Sequence, residues 1–380
     1  MLWVSAPVVA FAIVGGFLSK VTAREDTYQH LKVFDEVVNL IMSHYVDKVN
    51  VDKVMHGAMH GLADSLDADS AFLTPDQVKQ LEGGAAPPPG DVGIDLTRQY
   101  YLRIIAARDE SPAAKAGLRT GDYVRAIDGH PTRDMSVFEG MRTLRGALGS
   151  KVSLTLIRGS ANDPHVVELT RERVPQADVT SRMAAAGVGY LRIAAMGSRT
   201  ADQARTHLAE LAKSGAASLV VDVRRTSGGS VEGALAVARL FVPKGLLARR
   251  ETKGLEPETI EARAGDGGVT LPAVVLVDNG TSSAAEVFAA ALTANDRAEL
   301  IGERTMGRAG EQQLIKLPNG SGLWLTVTRY LTPKGTPLQE KGLEPAVAVE
   351  EPDVEFGQLP SGSDPILDKA LERLSRKKAA

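Results

Sequence analysis

The chain is 380 residues long, with 43% hydrophobic and 24% charged side chains, enough for two or three globular domains and too apolar for a disordered chain. Its formal charge of −3, with no basic cluster before the last few residues, argues against nucleic acid as a partner, because there is no electrostatic footprint for phosphates. The absence of cysteine excludes disulfides, thiolate catalysis and zinc-thiolate sites together, while leaving the compartment open.

From Leu2 to Ser19 the chain is uncharged and mostly apolar; Lys20 follows, and Val21-Thr22-Ala23 offers small residues to a signal peptidase. Residues 1–23 are predicted to be an export signal or an uncleaved anchor, with residues 2–19 as the membrane tether. Pro7 and two glycines count against a full span, and the thin basic n-region counts against a signal peptide. Either reading places the body outside the cytoplasm, in the periplasm or on the periplasmic side of an inner membrane.

Residues 24–83 read as a helical region. Leu31, Phe34, Val38 and Ile41 share one face at helical spacing, and so do Val54, Met55, Ala58, Met59 and Leu62. Thr74-Pro75-Asp76-Gln77 has capping-box spacing with proline at the first helical position. His56 and His60, at i and i+4, have the spacing of a zinc pair; without the adjacent glutamate or a third ligand they read as solvated or packed histidines. "GGAAPPPGD" (83–91) suits neither helix nor strand and marks a boundary.

Residues 84–173 alternate short strands with two brief helices, "SPAAKAG" behind Ser111 and "SVFEGMRTL" behind Ser136, with "AIDGHP" as a hairpin turn. In order and motif this stretch resembles a PDZ domain. From 174 to 350 apolar strands alternate with helices, which predicts an α/β core with largely parallel pairing, and residues 351–380 read as a tail with a helix.

The segment "GTSSAAEVFAAAL" (280–292) follows a strand and opens a helix. Ser283-Ala-Ala-Glu286 fits a capping box. A serine at a helix start also lies beside outward N–H groups, which stabilise the oxyanion formed when a nucleophile attacks an amide. A second turn, "DVRRTSGGS" (222–230), brings Gly228 or Gly229 to the same place if the two strands are neighbours.

Together with "SLDADSAFLTPDQ", "GERTMGRAGEQQ", "LPNGSGLWLTVTRYLTPKGTPLQEKGLEP" and "DPILDKALERL", these blocks resemble, in order and spacing, the C-terminal processing peptidases, or tail-specific proteases. That family contains PDZ-bearing serine endopeptidases with a Ser/Lys dyad. The resemblance implies a crotonase/ClpP-like α/β protease core with an N-terminal helical unit and an inserted PDZ domain. It selects Ser283 as nucleophile, three residues before Glu286, and leaves Ser282 structural. Gly228, Gly229 and Ala284 become oxyanion donors. Val92, Gly93 and Ile94 line the carboxylate site of the PDZ domain, with Arg145 at its edge as a link to the protease core. Substrates with apolar C-termini, no cofactor and a homodimer through the N-terminal helices are implied as well.

One position departs from the pattern. The dyad lysine falls 25 residues after Ser283, where this chain has Arg308, although the supporting Gln312 is present. A guanidinium stays charged in any protein environment and cannot accept the serine proton. Lys316 and Lys334 read as exposed lysines, Glu286 as structural, and no histidine falls near the motif blocks. The alternative reading is therefore a catalytically impaired pseudopeptidase that acts as a peptide-binding or scaffold protein through its PDZ domain.

Overall fold

The computed structural model describes residues 28–83, 87–159, 163–174, 178–352, 354–356 and 362–379. The expected leader or anchor, residues 1–23, and part of the expected linker, 84–86, lie outside them. The chain divides into two compact units, Met1–Leu62 and Ala63–Ala380.

In the first unit residues 28–44 form helix α1, and helix α2 (Val51–Asp64) begins behind Asn50, whose side-chain carbonyl accepts the Lys53 N–H at 3.0 Å. Of the apolar face read from the sequence, Leu31, Phe34 and Ile41 are exposed and Val38 is half-buried, and Tyr28, Val37, Leu40 and Tyr45 also lie open. The His56 and His60 rings meet at 4.5 Å. Among the described residues no cluster of histidine and acidic side chains is placed to hold a metal.

The second unit starts earlier than expected, at residue 63 rather than after 83. Strand β1 (Ala71–Leu73) is wholly buried and pairs antiparallel with β16 (Gly322–Leu331). An apolar strand of this kind needs a sheet partner, so it cannot belong to a helical unit. Helix α3 (Pro75–Glu82) follows with the expected capping box, Thr74 and Gln77 exchanging side-chain to backbone bonds.

Residues 90–172 form the PDZ-like body. Its sheet has the order β2 (Ile94–Gln99), β3 (Tyr101–Ala107), β4 (Tyr123–Ile127), β6 (Lys151–Ile157), β7 (His165–Thr170), with β5 (His130–Pro131) folding back on β4. Asp128 and Gly129 both take positive φ, 49° and 79°, as a two-residue hairpin turn demands. The short helices α4 (Pro112–Lys115) and α5 (Val137–Thr143) start at Ser111 and Ser136, and their caps are made as the sequence predicts. Strand β2 is one edge of this sheet and β7 the other.

The α/β core is a six-stranded sheet ordered β17 (Val347–Ala348), β14 (Ala298–Gly302), β13 (Ala273–Val277), β10 (Ser218–Asp222), β9 (Val188–Ile193), β8 (Val179–Ala185); all pairs are parallel except β8 with β9. Alternation along the strands feeds two apolar layers. Leu219, Val221, Val275 and Val277 join a cluster with Leu208 of α6 (Thr200–Lys213), Phe241 of α7 (Val231–Phe241) and Phe288 of α8 (Ala284–Ala294). Val220, Val274 and Leu276 face the other way, onto Ile366, Ala370 and Leu374 of α9 (Pro365–Ala379). The C-terminal helix is therefore a structural layer of the core. A second, antiparallel sheet, which no pattern in the chain predicts, has the order β1, β16, β11 (Leu246–Thr252), β12 (Glu258–Glu261), with β15 (Gly310–Lys316) on β16.

One buried ion cluster fastens α9. Arg224 bonds Asp222 on the sheet side and grips Asp364 with two parallel bonds of 2.9 and 2.8 Å, and Asp364 caps α9 through the Leu367 N–H. Tyr190 donates its hydroxyl proton to Asp222 at 2.6 Å. Burial pushes the Asp222 carboxyl up, but the Arg224 guanidinium, Arg192 and the Tyr190 hydroxyl outweigh it and hold the pKa down at about 2. A depressed carboxyl stabilises the fold above its unfolded pKa of about 4, and that stability disappears as the pH falls toward about 2. Asp222→Asn is accordingly expected to cost about 2 kcal/mol near neutral pH and to flatten the acid limb of stability between about pH 4 and 2. Urea unfolding across that range checks it, and an unchanged acid limb counts against the ion cluster.

Candidate active site

Strands β10 and β13 are parallel neighbours, so the turns that leave their carboxyl ends emerge side by side. Three hydrogen bonds join them: Ser282 N–H to the Thr226 carbonyl at 3.0 Å, the Thr281 hydroxyl to the Val223 carbonyl at 2.9 Å, and Arg225 N–H to the Asp278 carboxylate at 2.8 Å. The condition set by the sequence, that both turns meet, is fulfilled by strand order alone.

Ser283 is half-buried at the first turn of α8, whereas the Ser282 side chain is fully enclosed. Its φ of 57° and ψ of −123° lie outside the left-handed helical well, in a region that belongs to glycine at the first central position of a type II′ turn. The cause is visible on both sides. Strand β13 is buried along its whole length and α8 is buried from Ala284 to Leu292, so neither can shift to relax the turn 278–283 that joins them. Among the described residues no side chain accepts a hydrogen bond from the Ser283 hydroxyl.

Glu286, three residues on, is completely buried. Its carboxylate accepts the N–H groups of Ser283 at 3.1 Å, Gly307 at 2.7 Å and Arg308 at 2.8 Å, together with the Thr305 hydroxyl. Burial raises its pKa, and those four donors pull against the rise. Four bonds leave it no free lone pair for a serine proton, which agrees with its structural reading.

The N–H groups of Gly228, Gly229 and Ala284 have no acceptor among the described residues. The carbonyl of Gly228 accepts the Met196 N–H, and Gly229, at φ +113°, lies against the Met196 backbone, where a Cβ would come within 2.3 Å of its carbonyl oxygen. The glycine turn is thus anchored by Met196 and leaves its own N–H groups without a partner among the described residues.

Arg308 is brought to this place by its backbone, and its side chain is bound to Asp69 and to β2. Its Nε donates to both Asp69 oxygens at 2.6 and 2.8 Å, its Nη2 also pairs with Asp69, and its Nη1 donates to the Leu96 carbonyl on β2 at 3.1 Å. Burial works to lower its pKa, but Asp69, with Asp95 and Asp67 beyond, holds it above the ordinary arginine value. Gln312 does not reach it: the amide donates to Thr326 at 3.1 Å and to the Gly310 carbonyl at 3.3 Å within the antiparallel sheet. Lys316 pairs with Glu82 on the surface.

Val92 and Ile94 bury their side chains in the core of the PDZ-like body, leaving only backbone to line a site. Gly93, at φ +76° and packed against Ser111, donates its N–H to the Asp91 carboxylate at 3.0 Å. Arg145 pairs with that same Asp91 at 3.3 Å, and among the described residues its bonds stay within the PDZ-like body. Other residues bond to the α/β core. Asp95 of β2 accepts the Ser227 hydroxyl proton at 2.5 Å, and Asp109 accepts from Arg192 at 2.8 Å, whose other arm holds the Thr226 hydroxyl at 2.9 Å. Sequence reasoning missed Asp69, Asp95 and Asp109; the only signal was a carboxylate inside each of three otherwise apolar or motif-bearing stretches.

Comparison with known proteins gives a consistent result. The model described as Peptidase family S41 matches residues 187–349, and a PDZ-domain model matches residues 103–158. The chain is 32% identical to the carboxy-terminal processing protease CtpA of Bacillus subtilis, covering 84% of this chain and 68% of that one. It is 31% identical to the carboxyl-terminal-processing protease of Synechocystis sp., over 80% and 73% of the two chains. Among solved structures it matches a photosystem II D1 C-terminal processing protease with a TM-score of 0.70 at 30% identity, over 83% of this chain and 92% of that one.

The backbone of residue 283 has a consequence for stability. Ser283→Gly is expected to be more stable than Ser283→Ala by about 1 kcal/mol, because glycine adopts this φ and ψ without strain. Denaturant unfolding of the pair measures it, and an alanine variant as stable as the glycine variant would remove the strain argument.

Proposed function

Because the chain belongs to the C-terminal processing proteases of peptidase family S41, and is a serine-type protease carrying a PDZ domain, we propose that the PDZ domain captures an apolar substrate C-terminus and that Ser283 attacks the peptide bond. The observation that carries the site assignment is the strained backbone of Ser283 beside the N–H groups of Gly228, Gly229 and Ala284. The Ser283 oxygen bonds the scissile carbonyl carbon, the carbonyl oxygen takes the negative charge toward those donors, and the C–N bond breaks as the amine leaves with a proton from water. A second water then frees the acid and restores the serine. Gln312 supports the neighbouring strand pair in this reading, and Arg308 stays cationic, so the serine proton passes to solvent hydroxide.

The exposed apolar face of α1 supports a homodimer formed through it. Residues 2–19 support export, with the body outside the cytoplasm and a membrane tether if they are retained. No helix among the described residues is long and apolar enough to cross a membrane.

The rival reading, a peptide-binding protein without turnover, draws on the permanent charge at Arg308. Both are decided with an unstructured polypeptide that ends in apolar residues. Cleavage should be lost in Ser283→Ala, and its rate should rise about tenfold per pH unit between about pH 6 and 9, because no side chain serves as base. A plateau with a pKa of about 7 would refute the hydroxide route, and absence of cleavage across the same range would favour the rival. Peptide capture is tested separately: a free C-terminal carboxylate should bind about tenfold more tightly than the amidated peptide, and equal affinity counts against the carboxylate loop.

A further inference from the structure

Ser283 and Arg308 hang from one oxygen: both backbone N–H groups donate to Oε2 of Glu286, at 3.1 and 2.8 Å. The backbone at 308 is therefore fixed beside the nucleophile turn, and only the direction and charge of its side chain remain to be decided. Asp69 decides both. It is nearly fully buried and held by its own turn, since Asp67 accepts the Asp69 and Ser70 N–H groups at 2.8 and 2.6 Å, and Ser70 in turn accepts the Thr326 N–H from β16. From that rigid place it chelates the guanidinium and leaves one arm for the Leu96 carbonyl on the PDZ edge strand.

A lysine at this position would reach the same carboxylate. Its Nζ corresponds along the chain to the guanidinium carbon, so its ammonium would sit where Asp69 already bonds. An adjacent carboxylate keeps an ammonium protonated, whereas burial without one drives the proton off. The charged groups acting on this position are Asp69, Asp95 and Asp67, and Asp95 is matched by Arg108 at 3.4 Å and by the Ser227 hydroxyl.

We propose that Asp69 is a positioning residue that aims the side chain at 308 toward the PDZ edge strand and would keep a lysine placed there protonated, so that such a lysine takes no proton from Ser283 while Asp69 is ionised. Arg308 and Asp69 then form one unit, and the proton acceptor cannot be restored by changing position 308 alone. The hydrolytic part of this rests on Ser283 being the nucleophile; the charge-holding part does not.

The test compares Arg308→Lys with Arg308→Lys/Asp69→Asn in the full chain, with Arg308→Lys/Asp69→Ser made in parallel so that the comparison survives if one replacement fails to fold. The pH dependence of acylation of the introduced amine, read by peptide mass spectrometry, reports its protonation directly, because only the neutral amine reacts. The apparent pKa should fall by about 1–3 units when Asp69 is replaced. Peptide hydrolysis should be no faster in Arg308→Lys than in the parent, should rise at least about tenfold in the double variants, and should follow the pKa of the amine. Equal pKa values with and without Asp69, or full activity in Arg308→Lys alone, overturn the proposal. A shift in the amine as expected, with hydrolysis that persists after Ser283→Ala, rejects the nucleophile assignment and leaves the role of Asp69 standing.

Discussion

A buried carboxylate with four donors organises the candidate active site of this molecule. Glu286 binds the turn that carries Ser283 to the loop of Thr305, Gly307 and Arg308, and it does so from inside α8, whose first nine residues are all buried. A carboxylate so placed is tolerable only because each bond is made, and breaking any one would leave a buried charge or a buried donor without a partner. The strain at Ser283 persists because Glu286 on one side and β13 on the other determine its backbone twice over.

Similar constraints govern the glycine turn. Its position follows from parallel pairing of β10 with β13, its rear is closed by Met196, and the Thr226 carbonyl receives the Ser282 N–H. The PDZ domain then bonds to this construction at three places: Asp95 to Ser227, the Leu96 carbonyl to Arg308, and Asp109 to Arg192 behind Thr226. The PDZ domain and the turn of the proposed nucleophile are thus attached to one set of bonds, and β2, an edge strand of the PDZ domain, is the strand in contact with residue 308. A permanent cation at that contact is compatible with burial only because Asp69 neutralises it.

Much of this was legible in the chain. Helix starts at Thr74, Ser111 and Ser136 carry their caps in the letters, because capping chemistry is local. The strands "SLVVD" and "AVVLV" are short, apolar and set between helices, which is enough for a parallel core. The antiparallel sheet was not legible. It joins β1 to β16 across about 250 residues of chain, and pairing at that distance leaves no periodic trace in either strand. The early start of the second unit follows from the same pairing.

At the site the division is sharper. The sequence by itself determined the paired serines at a helix start, the glycine turn and an arginine that can never act as a base, all matters of residue type and short spacing, while the family resemblance singled out Ser283 and position 308. Only the tertiary structure decided which carboxylate that arginine meets, that Gln312 bonds within its own sheet, and that Arg145 pairs with Asp91. Those outcomes depend on which carboxylates arrive from remote segments. Asp69, Asp91 and Asp95 reach their partners through folding, and nothing in the local sequence specifies which cation each will meet.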